Sequence, residues 1–537
     1  MKRTLSLGTI LALALAAVLI PGVAQAAKPS PDAAAFFGFA AEAHLQWAGT
    51  QRDVEVRGKA MRGLQQRLLA TQAGGAVDRQ AVVRLSADEQ NRIDRPGRSQ
   101  GKYLVGIDKP VGLSVDLAAP GRRAAVKLGA VQPLGEQGRT WTFALTVPDA
   151  TALRLHLTGL DLPKGAELYV YNAADRQAQA FGPYTGKGPN RNGDFYTNTV
   201  FGEQILLQLV QSTAAPVPSF RIDSVGVMGQ RFLAPRYDPH GVFPEQQAGR
   251  VTAALSNLCT FNADCIQNAA CTSSSVVNDA KQAVASILFQ SGGGFFICTG
   301  GLIAHNGDTN VIPYFLTAHH CIGSSNEASS VETYFDYTTT CNSPNCTQPY
   351  SNIGETVGAT LLATGSSSDF SLLQLSSTPV SADGVTAYLG WSATDIAGST
   401  ADLYRISHPQ GAPQAYSEQN VDPSKPTCRT LPRGDFLYST DTVGGTEGGS
   451  SGSPVVNSSG QIVGQLFGAC GTNLNDVCDA DNNATVDGAF AASYPSVAPW
   501  LDPGSGPSCS PVGAGCSSNG DCCSNKCKGK PGAMTCK

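Results

Sequence analysis

The first cysteine of this 537-residue chain is Cys259; ten lie between positions 251 and 508, and six more crowd into 509–537. Paired cysteines staple the segments that carry them, so a chain divided this sharply is expected to fold as unlike parts. Its length also exceeds what one core ordinarily serves. Formal charge changes at the same places: +8 over residues 1–250, −16 over 251–508 and +3 over 509–537. Opposite signs would draw the first two regions together. Undirected drift of surface charge is the plain alternative.

The beginning reads as an export signal. Lys2 and Arg3 precede an apolar run from Leu5 to Ile20, then Pro21-Gly22 and the small-residue site Ala24-Gln25-Ala26, which implies cleavage after Ala26. That run is short for a membrane span and no later stretch offers one, so a soluble, secreted product is expected. Residues 30–90 read as helical, with Leu64, Leu68 and Leu69 in a Gln/Arg-rich stretch. From about 100 to 235 short alternating runs replace that pattern: Trp141 to Val147, Leu153 to Leu157, Leu168 to Tyr171. Turn residues separate them, as in a β-sandwich. His156 alternates with leucines there and reads as a residue of the solvated face. A loop-like junction over 236–258 leads to a block of short strands that ends near Trp500-Leu501-Asp502-Pro503; Gly504 to Ser508 is a linker, and the Cys-rich tail follows.

Two motifs in the cysteine-bearing block carry chemistry. One is Gly448-Gly449-Ser450-Ser451-Gly452-Ser453-Pro454 and the other Leu316-Thr317-Ala318-His319-His320-Cys321. A serine hydroxyl becomes a useful nucleophile when an imidazole takes its proton. Flanking glycines let backbone N–H groups approach an oxyanion. A metal cluster at His319-His320-Cys321 is disfavoured, because adjacent ligands rarely converge on one ion and no second ligand group stands at helical spacing. No metal, cofactor or nucleic-acid partner is expected.

On these motifs, residues 251–503 resemble the chymotrypsin-like serine proteases, and within them the bacterial lysyl endopeptidase branch. The resemblance implies a mainly β chain, in which a two-barrel protease domain follows a propeptide (27–250) that contains the sandwich. It implies His320 as base, Ser451 as nucleophile and Asp369, opening the run Asp369-Phe370-Ser371-Leu372-Leu373, as the acid that orients the base. Asp336 is a rival acid, but it lacks the apolar continuation. The backbone N–H groups of Gly449 and Ser451 would form the oxyanion hole. Ser450 stands where trypsin-type zymogens carry the acid that receives a new N-terminus, so that switch is not expected here. Implied disulfides are Cys298–Cys321, Cys259–Cys470 and Cys265–Cys341.

The resemblance weakens at the substrate pocket. Gly445, Phe467, Gly468 and Thr485 stand at its lining positions; Phe467 replaces a histidine, and neither Gly445 nor Thr485 supplies the acid found there in relatives. A buried ammonium without a carboxylate is costly, which argues against strict lysine specificity. No lysine occurs between Lys187 and Lys281, while Arg250-Val251 offers a basic junction bond. The alternatives are an acid from the loop around Cys478 (Asp481 or Asp487), giving lysine/arginine specificity, or an inactive protease-like binding protein. Expected partners are protein or peptide substrates and the chain's own propeptide. The tail resembles a cystine knot, with Cys509–Cys523, Cys516–Cys527 and Cys522–Cys536 implied, and its lysines fit a surface or substrate.

Overall fold

A computed structural model describes residues 41–49, 63–76, 80–94, 98–99, 102–117, 128–136, 138–173, 180–213, 216–229, 232, 258–259, 261–307, 310–341, 355–379, 386–428, 430–503, 527–529 and 534–536. The export signal, the junction around Arg250-Val251, and Cys509, Cys516, Cys522 and Cys523 lie outside them. No helix among the described residues is long and apolar enough to cross a membrane.

The first region is built chiefly from β1 (Lys102–Val115), β2 (Ala130–Leu134), β3 (Gly138–Thr146), β4 (Ala152–Thr158), β5 (Ala166–Tyr171), β6 (Phe181–Tyr184), β7 (Gln204–Gln211) and β8 (Phe220–Met228). One layer runs β6-β5-β7-β3-β2 and the other β4-β8-β1. Alternation explains the pairing of layers. Trp141, Phe143 and Leu145 of β3, the leucines 153, 155 and 157 of β4, and Val225 and Val227 of β8 all turn into one core. A helix at 63–70 lays Leu68 on the outer face of the first layer, against Tyr169, Tyr171 and Leu206. The helical expectation for residues 30–90 holds for that stretch and for Ala87–Asp94. It fails at Glu42–Ala43 and Gln46–Ala48, which are strands because Trp391–Ser392 and Thr386–Tyr388 offer them edges to pair with.

Two closed barrels follow, so the fold is mainly β throughout. The first contains β9 (Val284–Ser291), β10 (Gly294–Leu302), β11 (Tyr314–Ala318), β12 (Glu332–Phe335), β13 (Glu355–Val357), β14 (Ala359–Gly365) and β15 (Phe370–Leu375). These pair in the order β13-β12-β9-β10-β11-β15-β14. Only Gly358 separates β13 from β14, so the two ends of that order are one bent strand and six strands close on themselves. The second contains β16 (Asp402–Ser407), β17 (Ala415–Val421), β18 (Phe436–Val443), β19 (Pro454–Asn457), β20 (Ile462–Gly471) and β21 (Asn483–Ala489). Its order is β20-β19-β16-β17-β18-β21, and β21 pairs back onto β20.

Sandwich and first barrel share a sheet and a core. Strand β1 pairs antiparallel with β10, Ile107 opposite Gly294 and Tyr103 opposite Ile297. Phe295, Ile297 and Tyr334 of the barrel join the sandwich cluster. Under this apolar contact lies a buried polar one. The Glu332 carboxylate accepts from Thr199 N–H (3.0 Å), Thr199 Oγ1 (2.6 Å) and Asn198 Nδ2 (3.0 Å), with Arg154 Nε 3.4 Å away. Arg154 also donates to Ser330 O at 2.8 Å. By alternation Arg154 belongs to the same polar face as His156, yet it is fully buried because that face of β4 docks on the barrel. His156 stays at the rim, 2.7 Å from Asp194 Oδ1.

Replacing one member of such a pair leaves the other charged and buried. Glu332→Leu is therefore expected to destabilise the full chain by about 3–5 kcal/mol. Urea unfolding of the two proteins measures this, and a loss below about 1 kcal/mol would refute the role of the pair.

Candidate active site

Strand register brings the histidine motif and the run that opens at Asp369 together. Strands β11 and β15 pair with Ala318 opposite Phe370, so the residues just beyond, His319-His320 and Asp369, meet at the barrel's end. Asp369 sits at φ +51, outside the strand conformation, and the turned backbone aims both carboxylate oxygens at one residue. Its Oδ2 lies 2.7 Å from His320 Nδ1, and its Oδ1 accepts the His320 backbone N–H at 2.9 Å. The His319 N–H donates to the Asp369 carbonyl at 3.0 Å. Gln465 of the second barrel donates its amide to the carbonyls of Ser368 (2.8 Å) and Asp369 (3.2 Å). The carboxylate is buried while the imidazole remains partly open, an arrangement that leaves Nε2 free to exchange a proton outward.

The glycine-rich loop is seated on both barrels. Thr299 N–H donates to Ser451 O and Thr299 Oγ1 to Gly449 O, each at 2.8 Å; Gly452 N–H donates to Leu466 O at 2.8 Å. Gly449 (φ +100) and Gly452 (φ +81) take conformations that favour glycine. A Cβ on Gly452 would lie 2.2 Å from Thr317 Oγ1 and 2.4 Å from Thr299 O, so the close approach needs glycine for space as well. Among the described residues no hydrogen bond joins Ser451 Oγ to His320. Both residues border one sulfur: Cys321 Sγ is 3.8 Å from His320 Nε2 and 3.7 Å from Ser451 O. Contacts of this kind commonly tighten only with substrate bound. Cys298 and Cys321 are joined to each other, which removes their sulfurs as metal ligands beside His320. His319 turns away, to Thr364 Oγ1 at 2.7 Å.

Of the residues read as pocket lining, Phe467 stands edge-on to the His320 ring with centroids 5.6 Å apart. A Cβ on Gly468 would meet nothing within 4 Å. Gly445 is buried beside Cys265, Ile266 and Val477 O. Thr485 lies deeper, opposite Ala469, and donates to both oxygens of Asp441 at 2.9 Å. Asp487 does not enter a pocket as an acid: it is fully buried, with Arg405 Nη2 at 2.6 Å and Gln419 Nε2 at 2.9 Å.

Sequence reasoning missed the groups that brace the loop. Glu447 accepts from Asn262 Nδ2 (2.6 Å), Ala263 N–H (3.1 Å) and Gln410 Nε2 (3.0 Å). An acid immediately before the glycine-rich loop was the available signal, but its partners are distant in sequence. His408 is likewise buried beneath Gly449; its ring contacts Ala412 O at 2.9 Å and stacks on Tyr337. Two expected disulfides are corrected. Cys470 pairs with Cys428 and Cys341 with Cys271, while Cys265 pairs with Cys478. Cys259 is disulfide-bonded, but Cys470 is not its partner. The reason is proximity: Cys428 and Cys470 belong to one cluster with Phe436 and Tyr438, and a bridge needs Cα atoms within about 7 Å. In the tail, Cys527–Lys528 pairs with Thr535–Cys536 as two short strands; the three knot bridges rest on residues outside the described set.

Comparison with known proteins finds relatives for part of the chain. Residues 255–484 match the family "Lysyl endopeptidase, C-terminal domain". A lysyl endopeptidase of Pseudomonas aeruginosa is 29% identical over 340 residues, covering 59% of this chain and 65% of the relative. The chain thus spans about two thirds of that relative's length. Secreted RxLR effector protein 73 of Plasmopara viticola is 25% identical over 331 residues, covering 60% of this chain and 76% of the relative. The Rv3671c protease of M. tuberculosis, in an inactive form, aligns with 43% of this chain and 95% of its own at 18% identity and a TM-score of 0.28, a likeness on which nothing below rests.

Two outcomes follow from the loop's packing. Gly452→Ala should cost about 2 kcal/mol or more, because backbone atoms crowd the added carbon; an unchanged denaturation midpoint would contradict this. Burial pushes the His408 ring down to about 4, while its unfolded counterpart titrates near 6.5. The unfolded chain therefore binds more protons between these values, and stability held above pH 6.5 is lost as pH falls toward 4. His408→Phe should remove a component of about 3 kcal/mol from that slope, measured as midpoints across a pH series; a slope unaltered by the substitution would sink this account.

Proposed function

We propose that this protein is an exported serine endopeptidase made as a preproenzyme. In this reading residues 1–26 are the signal, 27–250 the propeptide, 251–503 the protease domain, 504–508 a linker and 509–537 a cystine-knot-like module. The observation that carries it is the buried carboxylate gripping His320 by ring and backbone, beside a glycine-rich loop that presents Ser451.

In the mechanism that follows, Ser451 Oγ attacks the peptide carbonyl as His320 Nε2 takes its proton. Asp369 holds the ring in the tautomer with Nδ1–H and stabilises its cation. The carbonyl oxygen, now negative, accepts from the N–H groups of Gly449 and Ser451. His320 returns the proton to the departing amine, leaving an acyl-serine. Water then repeats the sequence, with His320 as base, and releases the acid. The match to lysyl endopeptidases supports proteolysis as the chemistry. Cleavage strictly after lysine is disfavoured by Phe467, Gly445 and Thr485. The extensive sandwich–barrel contact supports a propeptide that assists folding.

An inactive, protease-like binding protein is the competing reading, and a fluorophosphonate probe separates the two. Protein obtained by expressing the full chain should label at Ser451 and lose label in Ser451→Ala. Asp369→Asn should lower kcat about 10⁴-fold with little change in the fold. No labelling of correctly folded protein would overturn the enzyme reading.

A further inference from the structure

Lys102, on the sandwich strand β1, is a buried lysine whose ammonium ends on the first barrel. It donates to the Glu327 carboxylate and to Ser291 Oγ, the latter at 3.2 Å. The rings of Phe289 and Phe296 flank it, with the ammonium 5.3 and 5.9 Å from their centroids. All four of these groups belong to the barrel. Phe289 and Phe296 stand opposite one another on β9 and β10, Ser291 ends β9, and Glu327 lies in the short helix Ser325–Ser329. Strand β1 supplies the cation.

The barrel's own groups orient the carboxylate. Ser291 Oγ donates to Glu327 Oε1 at 2.6 Å, while Gly323 N–H and Ser324 Oγ donate to Oε2 at 2.8 and 3.0 Å. The Glu327 N–H returns a bond to Ser324 Oγ at 3.3 Å, a reciprocal cap that fixes the side chain. Burial raises the Glu327 carboxyl, but Lys102, Ser291 and Gly323 outweigh it and hold the group below its ordinary value. Without Lys102, a largely buried carboxylate would stand beside two aromatic rings with its cation gone. Such a place rewards an ammonium on a long apolar stem, which lays the stem on the rings and the charge on the acid.

This cage stands close to the candidate catalytic residues. Phe296 lies two residues before Cys298 and Gly323 two residues after Cys321, and the Cys298–Cys321 bridge ties these segments together. At that bridge, Cys321 Sγ is 3.8 Å from His320 Nε2 and 3.7 Å from Ser451 O. Two residues along a strand advance roughly 7 Å, a span that a few residues of extended peptide cover. The Ser451 loop is held between two strands: Thr299 N–H of β10 donates to Ser451 O, and Gly452 N–H donates to Leu466 O of β20. Strand β20 carries Phe467 and Gly468, read above as lining the pocket for the residue before the cleaved bond. A peptide that passes Ser451 from β20 therefore continues toward the edge of β10. Strand β1 occupies that edge, with Tyr103 opposite Ile297 and Leu104 opposite Phe296. An edge freed of its partner accepts another extended chain. Strand β1 itself shows that a chain lying there delivers a lysine into the cage.

We propose that Glu327, Ser291, Phe289 and Phe296 form a second substrate-binding site on the first barrel, which takes a lysine side chain on the leaving side of the cleaved bond and which Lys102 fills in the full chain. This rests on the endopeptidase reading above, with residues 27–250 released. It does not depend on which residue fills the primary pocket, whose lining positions belong to the second barrel. The carboxylate geometry selects lysine over arginine. Gly323 and Ser324 engage Oε2, so Oε1 is the oxygen turned to the cation. One such oxygen suits the point charge of an ammonium, whereas a guanidinium gains most from pairing with two.

The test uses the processed protein obtained by expressing the full chain, with peptides identical up to the cleaved bond. In each peptide one of the four positions after that bond carries lysine, arginine, norleucine or glutamate. Products are identified by mass, so that only hydrolysis at the common bond is counted. At one of the four positions lysine should raise kcat/KM about tenfold over norleucine, the scale of one charge-assisted hydrogen bond. Arginine should gain less than lysine there, and glutamate should fall below norleucine. Glu327→Gln should bring the lysine-to-norleucine ratio at that position to within about twofold of unity. Wild type that hydrolyses the peptides with no lysine advantage at any of the four positions would overturn the proposal, whether or not the variant folds. An unchanged ratio in folded Glu327→Gln would overturn the assignment to this cage, and arginine ahead of lysine would overturn its single-oxygen geometry. Wild type that neither labels at Ser451 nor hydrolyses any peptide would refute the endopeptidase reading instead, and the substrate role with it.

Discussion

The buried carboxylate of Asp369 is the point from which the rest of the site is organised. Both its oxygens serve His320, one through the ring and one through the backbone, so the imidazole's position and orientation are set together. That grip needs three things at once: a left-handed turn at Asp369, the register of β11 against β15, and Gln465 reaching across from the other barrel. A carboxylate withdrawn from water is costly unless its hydrogen bonds are satisfied. Here the satisfied bonds are those that place His320, and stability and geometry become a single requirement.

The loop that bears Ser451 depends on the same joint between barrels. Thr299 of the first barrel holds its carbonyls, Leu466 of the second holds Gly452, and Glu447 ties it to Asn262 and Ala263. With a neutral Ser450 in the loop, Glu447 offers the carboxylate through which an early segment of the barrel region reaches the glycine-rich loop. The sandwich adds its own constraint by extending β10 with β1 and burying Arg154 against Glu332. Tyr103, on that added strand, donates to Gln410, which in turn donates to Glu447. A chain of contacts thus runs from the first region to the glycine-rich loop.

Much of this was legible in residue order. Alternating leucines around 153–157 announced a sandwich strand, and the spacing of His320, Asp369 and Ser451 pointed to one site. What alternation could not tell is which polar face meets solvent. Arg154 and His156 look alike on β4, yet one is buried by the barrel and the other remains at the rim. Short segments such as Gln46–Ala48 carry too little pattern to announce a strand and acquire one only from a partner edge. Disulfide partners were misassigned for a related reason. Cys478 and Cys428 take the partners expected for other cysteines, and distance is not written in spacing.

The sequence by itself displayed the groups on which the proposed chemistry rests, an imidazole, an acid and a hydroxyl between glycines, in that order along the chain. It also determined that the chain would be mainly β, since alternation of period two is a local property. Only the tertiary structure decided which acids face one another, which cysteines meet and which polar residues are buried. Asp441 is the clearest case. Ten residues ahead of Ser451 in the chain, it gains its place beside Thr485 through the pairing of β18 with β21, because closing a barrel fixes neighbours across strands that no local pattern encodes.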